Sequence, residues 1–176
     1  MRTSIVSIEL LRILTMTLLF CEVTYAAIDQ KVKHTPGQWL QTNGDLHGGV
    51  SGNGFSLLGL QQIQDKKLNI ERLIFDVGDF NGQPLKRRPG YYHVELRGNR
   101  LLVDFSQMVS GNLTEKELIA KLKKSPHIKS ASMTVDPEDK NLNITLQLRE
   151  KPKVRVFQVE GVKTTSKVVI DLTTQQ

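Results

Sequence analysis

Residues 167–172 read KVVIDL, and the same order of residue types stands at 72–77 as RLIFDV and at 100–105 as RLLVDF: one basic residue, three apolar, an aspartate, one more apolar. Side chains alternate across a strand, so Leu101, Val103 and Phe105 share one face while Leu102 and Asp104 share the other. KVVIDL repeats this, with Val168, Ile170 and Leu172 set against Val169 and Asp171. Aspartate is depleted in strands, so three at one register invite a reading as paired catalytic carboxylates. The alternation favours a plainer one, in which each aspartate lies on an outward polar face and pairs with Lys or Arg of a neighbouring strand.

Around these stretches the apolar period is two. LNIERLIFDV, GYYHVELRG, NRLLVDF, SASMTVD, LNITLQLR, KVRVFQVEG and SKVVIDL are short runs rich in β-branched, aromatic or leucine residues, separated by turn chemistry. Arg97-Gly98-Asn99-Arg100 has the composition of a tight hairpin, and Asp136-Pro137-Glu138-Asp139 that of a reverse turn. One segment departs from this pattern. Thr114 precedes Glu117 by three residues, a capping box, with Leu113 and Leu118 placed as a hydrophobic staple. A helix over about 115–124 is expected from there, with Leu118, Ile119 and Leu122 on one side and Ser125-Pro126 as its stop. Lys121, Lys123 and Lys124 fall in its last turn, where the helix dipole favours cations.

The strand order is doubled about this helix. IERLIFDV, YYHVEL and RLLVDF precede it; NITLQL, KVRVFQV and KVVIDL come after it, beyond SASMTV. Two three-strand units predict a mainly β protein, a two-sheet antiparallel β-sandwich with an internal pseudo-repeat and one short helix.

The N-terminal part reads differently. Residues 1–26 have the zones of an export signal: Arg2 and Arg12 flank its basic region, Ile13 to Cys21 form a short apolar core, and Thr24-Tyr25-Ala26 offers small residues for cleavage near Ala26. The core is about half the roughly 20 residues that span a bilayer, so no transmembrane segment is expected in the mature chain. Cys21 lacks the small preceding residue of a lipoprotein site, having Phe20 instead, and no cysteine remains after cleavage. The formal charge of +6 is unchanged by losing the leader, because it carries two basic and two acidic residues. A basic exported chain suits a polyanionic partner such as cell wall or an anionic membrane surface, and export argues against nucleic acid. Residues 27–67 are polar and Gly-rich, and are read as a loosely ordered arm that adds at most an edge strand, ahead of a domain over 68–173.

The blocks ERLIFDV…YYHVELRGNRLLVDF (71–105) and NITLQLREKPKVRVFQVEGVKTTSKVVIDL (143–172), joined by a helix and HIKSASM (127–133), resemble the AMIN domain. That domain stands ahead of bacterial cell-wall amidases and of the secretins of type IV pili and secretion systems. The resemblance covers about 68–173 and rests on hydrophobic pattern, and no site residue is carried over from it. It implies a small sandwich of two similar sheets, here as a stand-alone copy, that binds peptidoglycan or localises to a septal, pilus or secretion assembly in the periplasm or outside the cell. The alternative expectation is a structural partner that acts by β-strand addition to such an assembly, through a sheet edge or the arm.

No catalytic constellation is evident in the sequence. Gly49, Gly52 and Gly54 do not form a dinucleotide fingerprint, 49–53 lacks the last glycine of a nucleophile elbow, and His34, His47, His93 and His127 lack zinc spacing. The expectation is a protein that is not an enzyme and uses no cofactor or metal. Ligand-binding candidates are Arg87 and Arg88, leading into Tyr91, His93 and Arg97, and by analogy in the second half Lys153 and Arg155. Guanidinium forks suit wall-peptide carboxylates and aromatic rings cover sugar faces. Trp39, alone in the arm, is a ligand contact or the anchor that pins the arm.

Overall fold

The computed structural model describes residues 39–174 except 53, 107, 140 and 162–164; the export signal expected over 1–26 lies outside the described residues. The strands are β1 (Asn43–Gly48), β2 (Phe55–Asp65), β3 (Ile70–Gly78), β4 (Tyr92–Arg97), β5 (Arg100–Phe105), β6 (Met108–Gly111), β7 (Ile128–Val135), β8 (Leu142–Leu148), β9 (Lys153–Val159) and β10 (Ser166–Thr173). The helix α1 is Glu115–Leu122, between β6 and β7. One antiparallel sheet has the order β1-β4-β5-β8-β7. The other has β2-β3-β10-β9, with four-residue β6 added parallel along the outer side of β2.

The two sheets face each other across one core. Leu73, Phe75, Val77, Val168, Ile170 and Leu172 line it from one side, and Val94, Leu96, Leu101, Val103, Ile144 and Leu146 from the other. Phe75 and Phe105 meet between them, their rings 5.5 Å apart and tilted by 60°. The alternation read from 100–105 and 144–148 is therefore the inner face of the sandwich, whereas β10, between β3 and β9, is buried on its outer face as well, at Val169, Asp171 and Thr173.

The internal repeat is present, but its halves do not each make a sheet. β2-β3-β4-β5 and β7-β8-β9-β10 are two four-strand units, and each sends its first hairpin into one sheet and its second into the other. Thus β3 lies against β10, and β8 against β5. This exchange of hairpins seats each unit's strands beside strands of the other, so neither unit can bury its apolar face alone. The first strand of the first unit, β2, is drawn from residues expected to be a loose arm. Its alternation is interrupted by a bulge between Leu57 and Gly59, yet Phe55, Leu57 and Leu60 are buried core residues. The remainder of the arm laces the opposite side of the sandwich: Leu40 exchanges both backbone hydrogen bonds with Val154 of β9, and β1 then pairs with β4. At Gly49, whose φ is +83°, a Cβ would stand 2.1 Å from the carbonyl oxygen of Gly90, so only glycine allows this crossing.

The helix begins as the capping box requires. Thr114 accepts a hydrogen bond from the Glu117 backbone N–H, while the Glu117 carboxylate accepts from the Thr114 N–H. Leu113, Leu118 and Leu122 are buried, but Ile119, expected on the same side, is exposed because α1 rests on the sandwich along a narrow stripe. Thr114→Ala removes the cap and is expected to cost about 1 kcal/mol in a denaturant melt.

Candidate ligand-binding faces

The repeated hexapeptides are built to pair with one another. β3 and β10 run antiparallel in a register that places Arg72 opposite Asp171 and Asp76 opposite Lys167, so each aspartate meets the basic residue of the other copy. Lys167 forms an ion pair with Asp76, which also accepts a hydrogen bond from Gln61 Nε2. Asp171 accepts from Arg72 Nε and Nη2, at 2.6 and 2.9 Å, and from Arg155 Nη2 of β9 at 2.6 Å. Although Asp171 points away from the core, it is wholly buried under these arginines. Burial alone raises its pKa, but the hydrogen bonds and charges of Arg72 and Arg155 outweigh this and hold the carboxyl below its ordinary value. The guanidinium carbons of Arg72 and Arg155 lie 5.3 and 5.6 Å from the centre of the Phe157 ring, and that of Arg155 lies 4.6 Å from the centre of the Trp39 ring. Lys153 stands two residues from Arg155 on the same strand face.

RLLVDF occupies the matching position in the other sheet, with different neighbours. Asp104 on β5 lies opposite His93 of β4 and Asn143 of β8, the places that Arg155 and Arg72 hold around Asp171. Burial pushes its carboxyl pKa up, and the nearby His93 offsets part of that rise. Among the described residues two buried side-chain polar atoms lack a partner, Arg155 Nε and Asp104 Oδ1. One is a donor and the other an acceptor, and they lie in equivalent rows on opposite outer faces. Around Asp104, His93 Nε2 is 3.4 Å from Asp45 Oδ2, and the Tyr91 ring stacks on His47 at 6.3 Å.

The candidate residues therefore do not form one surface. Tyr91, His93 and Arg97 are on the outer face of the β1-β4-β5-β8-β7 sheet, where Arg97 pairs with Glu95 at 2.6 Å and is largely exposed. Lys153 and Arg155 are on the outer face of the other sheet. β9 corresponds to β4 in the repeat, but hairpin exchange carries it to the opposite side of the molecule. Arg87 and Arg88 lie in the loop before β4, beside the end of β9: the Arg87 carbonyl accepts from Gly161 N, and Arg88 Nε bonds Glu160 at 2.8 Å. That places them about 20 Å along β9 from Lys153, at roughly 3.3 Å per residue. Trp39 is a neighbour of Arg155, and Phe157, Asp104 and His47, none of them among the ligand-binding candidates, join the faces. The register of the aspartates was the available signal, since cross-strand neighbours of Asp104 and Asp171 would have named them.

A third polar cluster is committed to the fold. Buried Glu71 accepts hydrogen bonds from Ser125 Oγ at 2.7 Å, from the His127 backbone N–H at 3.4 Å and from Gln62 Nε2, tying β3 to the segment after α1. A cleft of about 200 Å³ beside it is lined by Asp65, Asn69, Glu71 and His127 among others. Among the described residues no group of three or more His, Cys, Asp or Glu is placed to hold a metal ion, and no helix is long and apolar enough to cross a membrane. Compared with models of known protein families and with curated proteins, the sequence matches none.

Proposed function

We propose that the chain is an exported, non-catalytic binding module of the bacterial cell envelope whose ligand is peptidoglycan, the role that its resemblance to the AMIN domain implies. The observation that supports this most is the arginine and aromatic face over Asp171. A guanidinium carries five N–H donors. Arg72 uses two of them on Asp171 and Arg155 one, so both are held rigid with donors to spare. Pre-oriented forks of this kind suit the carboxylates of wall peptides, and Trp39 and Phe157 supply flat apolar surface for the sugars. Lys153 and the net charge of +6 add attraction for a polyanion.

Co-sedimentation with purified sacculi tests the reading. The protein is expected in the pellet at low salt and released as salt rises. Trp39→Ala combined with Lys153→Ala is expected to lower retention several-fold with the melting temperature preserved. Protein left wholly in the supernatant at low salt sinks the proposal. Arg87→Ala with Arg88→Ala asks whether the loop at the other end of β9 extends the face, and unchanged retention would remove it.

The alternative, β-strand addition to an envelope partner, is narrowed by the position of the arm. β2 lies between β6 and β3, and β1 has one side on β4, so strand addition would fall to the outer edges of β1, β7 or β6, or to β9 beyond the Leu40–Val154 bridge.

A further inference from the structure

The internal repeat allows the molecule to be compared with itself. Around Asp171, the two cross-strand positions hold guanidinium groups, and the carboxylate is saturated by them. Around Asp104, the same two positions hold His93 and Asn143. An asparagine amide carries no charge, and a histidine carries one only when protonated. Among the described residues, nothing donates a hydrogen bond to Asp104 Oδ1, although that atom is buried. Buried acceptors in folded proteins are nearly always bonded, so one that is not marks a place where a donor is missing.

The surroundings specify what kind of donor. Asp45 on β1 and Glu95 on β4 border the row, adding negative charge to one side of a chain that is basic as a whole. Glu95 is engaged by Arg97, whereas Asp45 has His93 Nε2 at 3.4 Å. Tyr91, exposed and stacked on His47, offers an aromatic face at the edge of the row, and such faces attract cations. The Asn143 side-chain carbonyl supplies a further acceptor type. We propose that Asp104 anchors a site for a guanidinium or ammonium group brought by a ligand, with His93, Asn143 and the Tyr91–His47 pair as its walls. The incoming group supplies the positive charge that Arg72 and Arg155 supply to Asp171 and that His93 and Asn143 leave wanting. This site is on the opposite outer face from the arginine and aromatic surface, so it stands or falls separately from peptidoglycan binding.

Amide chemical-shift titration of the ¹⁵N-labelled protein reads the site directly. The probes are N-acetyl-arginine methylamide and N-acetyl-lysine methylamide, with N-acetyl-glutamine methylamide as the neutral control. Saturable shifts centred on His93, Asp104 and Asn143 are expected with a cationic probe and absent with the neutral one. Asp104→Asn, which keeps the shape of the side chain, is expected to weaken binding at least tenfold while leaving the melting temperature in place. The double variant His93→Arg, Asn143→Arg rebuilds the arrangement found over Asp171 and is expected to abolish probe binding. Preference for the guanidinium probe assigns the site to an arginine side chain, and preference for the ammonium probe to a lysine side chain or another primary amine. Absence of saturable shifts with both cationic probes, or equal shifts in Asp104→Asn, would overturn the proposal.

Discussion

Asp171→Ala is expected to lower the melting temperature by roughly 4–12 °C, while Asp104→Asn, at the same position of the repeat, leaves it almost unchanged. Removing one partner from a buried ion pair commonly costs about 3–5 kcal/mol, because the charges left behind have neither water nor partner. Here the carboxylate is fully buried, but the side chains of Arg72 and Arg155 retain 39% and 23% of their exposure and recover some hydration. The expected loss is therefore about 2–3 kcal/mol, which at about 2–4 °C per kcal/mol for a chain of this size gives the stated shift. The pH dependence separates the two aspartates. Asp171 has a folded pKa below its unfolded one, so its stabilisation is complete above the ordinary carboxylate range and is lost as pH falls through the depressed folded value. The gap between wild type and Asp171→Ala should thus be widest near neutral pH and close in acid. Asp104 has a raised folded pKa, so its ionised form is disfavoured by folding and any cost is relieved as pH falls through that raised value. Asp104→Asn should accordingly lie within about 0.5 kcal/mol of wild type at neutral pH. Thermal melts of both variants across pH decide the matter, and equal losses at the two positions would show that the arginine pair is not what holds Asp171.

The contrast between these positions also marks where the sequence was readable. Period-two alternation named β3, β4, β5, β7, β8, β9 and β10, because an inward face packed against a second sheet is mostly apolar, with Glu71 and Ser166 as exceptions. The capping box located α1 to within two residues, since its signal is local and its hydrogen bonds are made within four residues. Strand pairing is another kind of information. That Arg155 would join Arg72 on Asp171, while His93 would face Asp104, depends on hairpins crossing between sheets, and nothing within any one strand encodes that crossing. The candidate binding residues come from both units, and the pseudo-symmetry that relates the units puts them on opposite faces. The inner positions of the two units repeat, Phe75 with Leu146 and Ile170 with Val103, whereas the outer ones diverge from Arg72 to Asn143 and from Arg155 to His93. Packing constrains the first set, and the second is where the two faces have become chemically distinct.

Removing residues 39–64 is expected to leave a chain with no cooperative unfolding transition, although the sequence there looks dispensable. FSLLGLQQIQ hides its strand character for a physical reason. The bulge at Leu57 to Gly59 puts one extra residue, Leu58, against β3, so the buried Leu57 and Leu60 stand three apart and the period-two signal is lost. Farther along β2 stand Gln61, Gln62 and Gln64, and the first two spend their polarity on Asp76 and Glu71. Phe55, Leu57 and Leu60 are at most 3% exposed, and truncating one large core side chain typically costs about 2–5 kcal/mol. Losing three approaches the whole stability of an ordinary domain, about 5–15 kcal/mol. The deletion further strips β3 of its outer neighbour, leaves β6 without a strand to pair with, and frees the Asn112 N–H from the Leu57 carbonyl. A truncated chain that fails to pellet with sacculi would thus report unfolding and not a lost contact, which is why the binding face is better probed at Trp39 and Lys153. Leu57→Ala is the graded form of the experiment, expected to fold with a stability lower by about 2–5 kcal/mol. A truncated protein that melts cooperatively near the wild-type temperature would show instead that β2 is an accessory to a sandwich complete without it, and the four-strand repeat would have to give way to one of three.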